Sequence, residues 1–188
     1  MLGLVLAGAL VRRGETAPVA SAAPVASAAP VASQEAPRLE PGVLLAEARR
    51  KASAWHQDAV LLSLTTTGLD QVGVSPSGSV EVIYARPAGQ RISGGAEASG
   101  QRLILRSSAA GLAQSEERTG KGRIAPEPNC TFEDAWAAAQ RAGATGGPSL
   151  RVRYQWSDKH ARPVWEVISG EGELLRRLDG VSCSILTR

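Results

Sequence analysis

Few residues in this chain are of a type and spacing that could do chemistry: two cysteines, Cys130 and Cys183, and two histidines, His56 and His160. An even, minimal cysteine count in an exported chain predicts one disulfide. Closing the intervening loop would stabilise the fold by about 4 kcal/mol through loop-closure entropy. The alternative is two buried free thiols, as suits a cytosolic chain. Zinc sites use closely spaced ligand pairs; these cysteines are far apart and the histidines distant, so no metal is expected. His56 follows Trp55 at a helix end, placed to face solvent or cap carbonyls. His160 falls in a turn with Asp158 and Lys159. Neither has a serine or cysteine nucleophile in a recognisable elbow, and Gly-x-Ser-x-Gly, Ser-x-x-Lys and His-Glu-x-x-His do not occur. The glycines of residues 93–100 and of Gly120-Lys121-Gly122 lack the strand-to-helix setting of a phosphate loop and read as flexible hairpin tips. Glu116, Glu117, Arg118, Lys121 and Arg123 read as a solvated mixed-charge loop. Asn129-Cys130-Thr131 has the form of a glycosylation acceptor, discounted because the cysteine is assigned to a bridge and nothing marks a eukaryotic secretory chain. No catalytic, cofactor-binding or metal-binding residue follows, and no cofactor is expected.

The elements that would position any site are clearest after residue 129. Thr131 and Asp134 form a capping pair at a helix start. Phe132, Ala135, Trp136 and Ala139 give that helix one apolar face, and Gly143 stands where a left-handed cap belongs. Leu150, Val152, Tyr154 and Trp156 then alternate with Arg151, Arg153 and Gln155, the period of a half-buried strand. A turn at residues 157–162 leads to a strand over 163–169 and a third run over 174–178. The earlier half echoes this order. Pro41 suits a first helical turn; Leu44, Ala48, Ala52 and Trp55 share a stripe, and Glu47 and Lys51 can pair. Strands begin at Val60, Leu62 and Leu64, at Val80, Val82 and Tyr84, and at Leu103 and Leu105, with loops at 71–79 and 89–100. Helix plus three antiparallel strands is thus predicted twice. The four tryptophans sit beside periodic apolar residues, which favours core anchoring over ligand stacking.

The N-terminal stretch has another character. Residues 2–11 are apolar but too few to cross a bilayer, which takes roughly twenty. Arg12 and Arg13 follow the run rather than preceding it, as in the tail of a longer membrane segment; a poor signal peptide is the alternative. Residues 17–33 repeat Ala-Pro-Val-Ala-Ser-Ala nearly three times and can form no core. At about 3.1 Å per residue this is a stalk reaching on the order of 50 Å. About 150 residues remain, enough for one domain or two small packed units. A net charge of +3 with basic residues spread along the chain does not point to nucleic acid.

The Ala135-Trp136-Ala137-Ala138-Ala139 helix, the strand Pro163-Val164-Trp165-Glu166-Val167-Ile168 and the closing Leu178-Asp179-Gly180 resemble PepSY-type domains, small modules in which a helix packs on an antiparallel sheet. The likeness covers about 55 residues, with a weaker copy before it. The stalk arrangement, with Trp55-His56-Gln57-Asp58-Ala59 opening a strand, is also similar to the extracytoplasmic end of bacterial Ser/Thr protein kinases; no kinase residues accompany it. PepSY-like domains imply an exported or membrane-tethered bacterial protein that binds or regulates. The expectation is therefore α+β: two tandem helix-plus-antiparallel-sheet units (PepSY/cystatin-like) after a disordered Ala/Pro-rich stalk. Its parts are an apolar signal or truncated transmembrane segment (1–13), a linker (14–38), and units at 39–125 and 126–188. The function expected is non-catalytic binding or sensing of a protein or peptide in the periplasm or cell envelope, possible contact surfaces being the sheet face or the Gly-rich loops. Inhibition or chaperoning of a cognate exported enzyme is the alternative. Cys130 and Cys183 are the only assigned site residues, and their role is structural.

Overall fold

The computed structural model describes residues 39–87, 93–108 and 111–187; the apolar start (1–13) and the linker (14–38) lie outside the described residues. Helix α1 (Pro41–Trp55) opens on a proline, and its Ala48 and Ala52 are buried with Leu44 and Trp55 packed beside them. Lys51 lies 3.6 Å from Glu47 on its outer side. Strands β1 (Val60–Leu69), β2 (Val74–Ala85), β3 (Glu97–Ser108) and β4 (Gly111–Arg123) follow, then α2 (Phe132–Arg141), β5 (Gly147–Ser157), β6 (Arg162–Ile168) and β7 (Leu174–Asp179).

Helix α2 is closed at both ends by its own sequence. The Thr131 hydroxyl accepts from the Asp134 N–H at 3.1 Å and donates to the Asp134 carboxylate at 2.9 Å, a variant of the capping box in which the shorter Asp reaches the hydroxyl. At the other end Gly143 has φ +89°, and the N–H groups of Gly143 and Ala144 donate to the carbonyls of Gln140 and Ala139. This is the Schellman arrangement. Arg176 of β7 adds a cation at that terminus, its Nε donating to the Ala142 carbonyl at 2.9 Å.

The fold is α+β, with an antiparallel sheet in the order β4-β3-β2-β1-β5-β6-β7. The helix-then-meander order does occur twice, but the halves are not distinct packing units. Strand β1 pairs with β5 from Ser63↔Gln155 to Thr67↔Arg151, which makes one continuous sheet. Both helices contribute to a single core on one face, with Leu64, Val82, Tyr84, Leu103, Val152, Tyr154, Trp165 and Leu178 from strands of both halves. Trp136 Nε1 of α2 donates to the Asp70 carbonyl at 3.1 Å, and Gln140 Nε2 to the Gln71 carbonyl at 2.8 Å. The later helix is thereby fastened to the turn between β1 and β2.

Three other expectations need correction. Glu116, Glu117, Lys121 and Arg123 belong to a fourth strand, β4, rather than to a loop. As an edge strand it buries Leu112 and leaves 113–117 exposed, so it shows no alternation to read. Gly120 and Gly122 are strand residues, not hairpin tips, and β2 and β3 extend into the stretches read as loops. Trp156 leaves the core series of its strand: it is half-buried and lies under Gly94 and Gly95.

Cys130 and Cys183, 53 positions apart in the chain, form a disulfide with Cα atoms 5.3 Å apart. Around it the Cys130 N–H donates to the Gly180 carbonyl at 3.0 Å, and Trp165 Nε1 donates to the Cys130 carbonyl at 2.9 Å. The bridge ties the start of α2 to the turn after β7. Urea unfolding with and without reductant should differ by up to about 4 kcal/mol; identical curves would mean that the crosslink constrains nothing.

Candidate functional site

Because side chains alternate along a strand, the registers settle which residues share the face that the helices leave uncovered. Arg106 (β3) stands beside Glu81 (β2), Glu81 beside Thr65 (β1), Thr65 beside Arg153 (β5), Arg153 beside Glu166 (β6), and Glu166 beside Arg177 (β7). One polar row therefore crosses six strands with charges alternating in sign on either side of Thr65. Arg106 Nε reaches Glu81 at 2.7 Å.

Glu166 is 5% exposed and is surrounded by donors. Arg153 Nη2 and Gln155 Nε2 donate to Oε2 at 2.8 and 3.0 Å, and Arg177 Nε and Nη2 donate to Oε1 at 3.1 and 2.6 Å. Burial alone would push its carboxyl up; the hydrogen bonds and charges of the two arginines outweigh this and leave it below its ordinary range. Arg177 Nη1 also lies 3.2 Å from His160 Nε2. Partial burial and the cations Arg177, Lys159 and Arg162 lower the histidine's affinity for a proton, so Nε2 accepts from the guanidinium. Neighbouring Asp179 accepts from Arg162 at 2.8 Å and from the N–H groups of Val181 and Ser182 at 2.8 and 2.9 Å. These bonds overcome burial and hold its carboxyl at about 2.

Beside this row the far ends of β3 and β4 fold over the same face as a flap. Ala98 of the flap and Ile124 just after it pack on Val60, Leu62 and Ala85 in a second, smaller apolar cluster. Glycines permit the close approach. A Cβ at 122 would press on Leu62, one at 95 would collide with the Trp156 ring, and one at 120 would collide with the Arg102 guanidinium. Between flap and sheet is a cavity of about 240 Å³ lined by Ser63, Arg102, Lys121, Arg123, Gln155 and Trp156 with Leu62, Ile83 and Gly122. Gln155 joins this cavity to the Glu166 cluster.

Two other cavities indent the surface. A groove of about 760 Å³ runs past Asp70, Gln71, Gln140 and Gly146. Its ionisable lining residue, Asp70, accepts from the Val72 and Gly73 N–H groups at 2.8 and 3.0 Å and so folds the β1–β2 turn. A cavity of about 270 Å³ holds Tyr84, Glu127, Arg49 and Ser53, the nearest approach to an acid–base cluster. Burial, then the Glu127 charge, pushes the Tyr84 hydroxyl up, and it donates to Glu127 Oε1 at 3.4 Å. Burial also raises Glu127, against Arg49 and the tyrosine bond. With Tyr154 donating to the Pro126 carbonyl at 2.7 Å, the group pins the loop ahead of α2. A phenol held protonated is no base.

Sequence reasoning assigned only the two cysteines, and these are joined. His56 caps α1 and its Nδ1 accepts from the Asp58 N–H at 3.2 Å. His160 lies in its turn but reaches the arginine row. Arg102, Gln155, Glu166 and Arg177 were missed as a group, since only pairing across strands unites them. Glycines two apart, at 120 and 122, were the one local sign of close approach within a strand. Among the described residues no group of three or more metal-ligating side chains occurs. No protein-family model, curated protein or solved structure matches the chain.

Two pH-dependent outcomes follow. Asp179 has a depressed folded pKa, so its stabilisation is present above its unfolded value of 3.8 and is lost as pH falls through about 2. D179N should lower the melting temperature at pH 7, with the gap to wild type closing near pH 2; a constant gap would remove the ion-pair explanation. Glu127 has the opposite sign. Its raised folded pKa makes the ionised form a cost above that value, so E127Q should melt higher at pH 7 and equally at pH 4.

Proposed function

We propose that this chain is a non-catalytic binding or sensing module that works outside the cytoplasm, with the helix-free sheet face as its contact surface. The observation carrying this reading is the polar row on that face, Arg106–Glu81–Thr65–Arg153–Glu166–Arg177, in which the Glu166 carboxylate is fully occupied by donors. A carboxylate held by four hydrogen bonds orients its arginines; it has no lone pair to spare for proton transfer. A partner meets a surface already set in place, which limits the ordering cost of binding.

The Cys130–Cys183 disulfide fits an oxidising compartment. Among the described residues no helix is long and apolar enough to cross a membrane; on our reading residues 1–13 are the tether and 14–38 the spacer. On this reading the protein is bacterial and periplasmic or attached to the cell envelope, the two helix-plus-meander halves are PepSY-like copies fused through β1 and β5, and the partner is a protein or peptide rather than a nucleic acid. The role resembles the sensor end of a tethered receptor.

A photo-crosslinking residue placed at Thr65, in the middle of the row, should give adducts in cells that make the full chain. The same residue at Arg50, exposed on α1, should not. Adducts from position 50 alone, or from neither position, would remove the sheet face as the contact surface.

A further inference from the structure

The cavity under the flap has a composition of its own. Arg102, Lys121 and Arg123 line it and no carboxylate does. Lys121 and Arg123 have exposed partners, Glu97 at 3.6 Å and Asp158 at 3.1 Å, neither of them in the lining. Arg102 differs. Its guanidinium donates to the Lys121 carbonyl, while its Nε is buried without a partner. Glu117 stands opposite it in the β3–β4 register, yet among the described residues Arg102 makes no ion pair. An unmet buried donor on a charged group is destabilising, and only the missing side chain at Gly120 leaves room for the guanidinium.

We infer that this cavity binds a small oxyanion carried on a ring, an inference that rests on reading the face as a binding surface. Arg102 with Lys121 and Arg123 takes the anionic group, since a guanidinium fork matches planar carboxylate and phosphate oxygens. Trp156, half-buried in the wall, takes the ring. Ser63 and Gln155 supply hydrogen bonds for substituents. At about 240 Å³ the space is below the roughly 300–1,000 Å³ usual for drug-sized ligands, so it suits a small molecule or the end group of a longer one.

The test follows the Trp156 indole N–H and the Arg102 Nε–H by NMR in the full chain, both assigned by comparison with W156F and R102Q. Benzoate and phenyl phosphate should move both signals saturably and bind at least about tenfold tighter than neutral benzamide, about 1.4 kcal/mol. The stronger of the two identifies the anion class. R102Q should lose that preference, and G120A should weaken binding without changing the charge. K121Q, at an exposed side chain that does not threaten folding, should weaken benzoate alone and by less. Equal affinity for benzoate and benzamide, or unmoved signals at millimolar probe, would overturn the site. Crosslinks at position 65 that persist in that case would leave the binding face standing, and crosslinks lost while benzoate still binds would do the reverse.

Discussion

The antiparallel pairing of β1 with β5 is the constraint from which the rest of the molecule follows. Each meander begins with a helix followed by the strand that sits at this seam, so joining the two first strands back to back sends the remaining strands outward in both directions. Antiparallel pairing relates β1 and β5 by a local two-fold axis normal to the sheet, and the helices that lead into these two strands cover the same face. The seam carries an additional bond: the buried Thr66 hydroxyl donates to the Val152 carbonyl at 3.2 Å. Without the pairing, each half would be a small meander with one helix and too little apolar area to close a core of its own.

Putting both helices on one face leaves the other to be finished with side chains alone. Near the seam and towards β7 this is done with arginine, whose aliphatic stem covers apolar surface while the head stays polar. Val164 and Ile168 are 0% and 8% exposed although they flank Glu166 on the side without helices, and the arginine–glutamate cluster lies over that strand. Towards β4 the solution is the flap, which folds the sheet back over itself. The two outer edges are protected differently. Strand β4 carries charge along its exposed residues, and residues after the disulfide return to bridge β7 through Leu178 and Ile185.

Local order was legible in the sequence wherever a single element carries its own signal. The α2 caps, the period-two run from Leu150 to Tyr154 and the α1 stripe are contacts or alternations over a few residues, and all occur as read. The disulfide was legible from count alone. What could not be read was register. Arg106, Glu81, Thr65, Arg153, Glu166 and Arg177 are scattered over most of the folded chain, and only strand pairing sets them in a line. Strand β4 failed for a related reason: an edge strand with one solvent-facing side and glycines in its far end has neither alternation nor β-propensity to show. Trp156 was misassigned because alternation predicts the inward side, while at the end of its strand the flap supplies a second surface to pack against.

Departures from local rules concentrate in the flap. Glycine within a strand costs roughly 0.5–1 kcal/mol relative to alanine, and the far end of β4 carries two at alternate positions, Gly120 and Gly122. Each is required by a neighbour: Gly122 by Leu62, Gly120 by Arg102. The first contact gives apolar burial in return. The second gives one hydrogen bond, from the Arg102 guanidinium to the Lys121 carbonyl, but leaves the Nε of that cation unpaired. Natural sequences tend to depart from local consistency at sites that serve function, and here strand propensity is given up to hold one guanidinium beside Trp156 and two further cations. The stabilisation missing from the folded chain is of the kind that an incoming anion would supply.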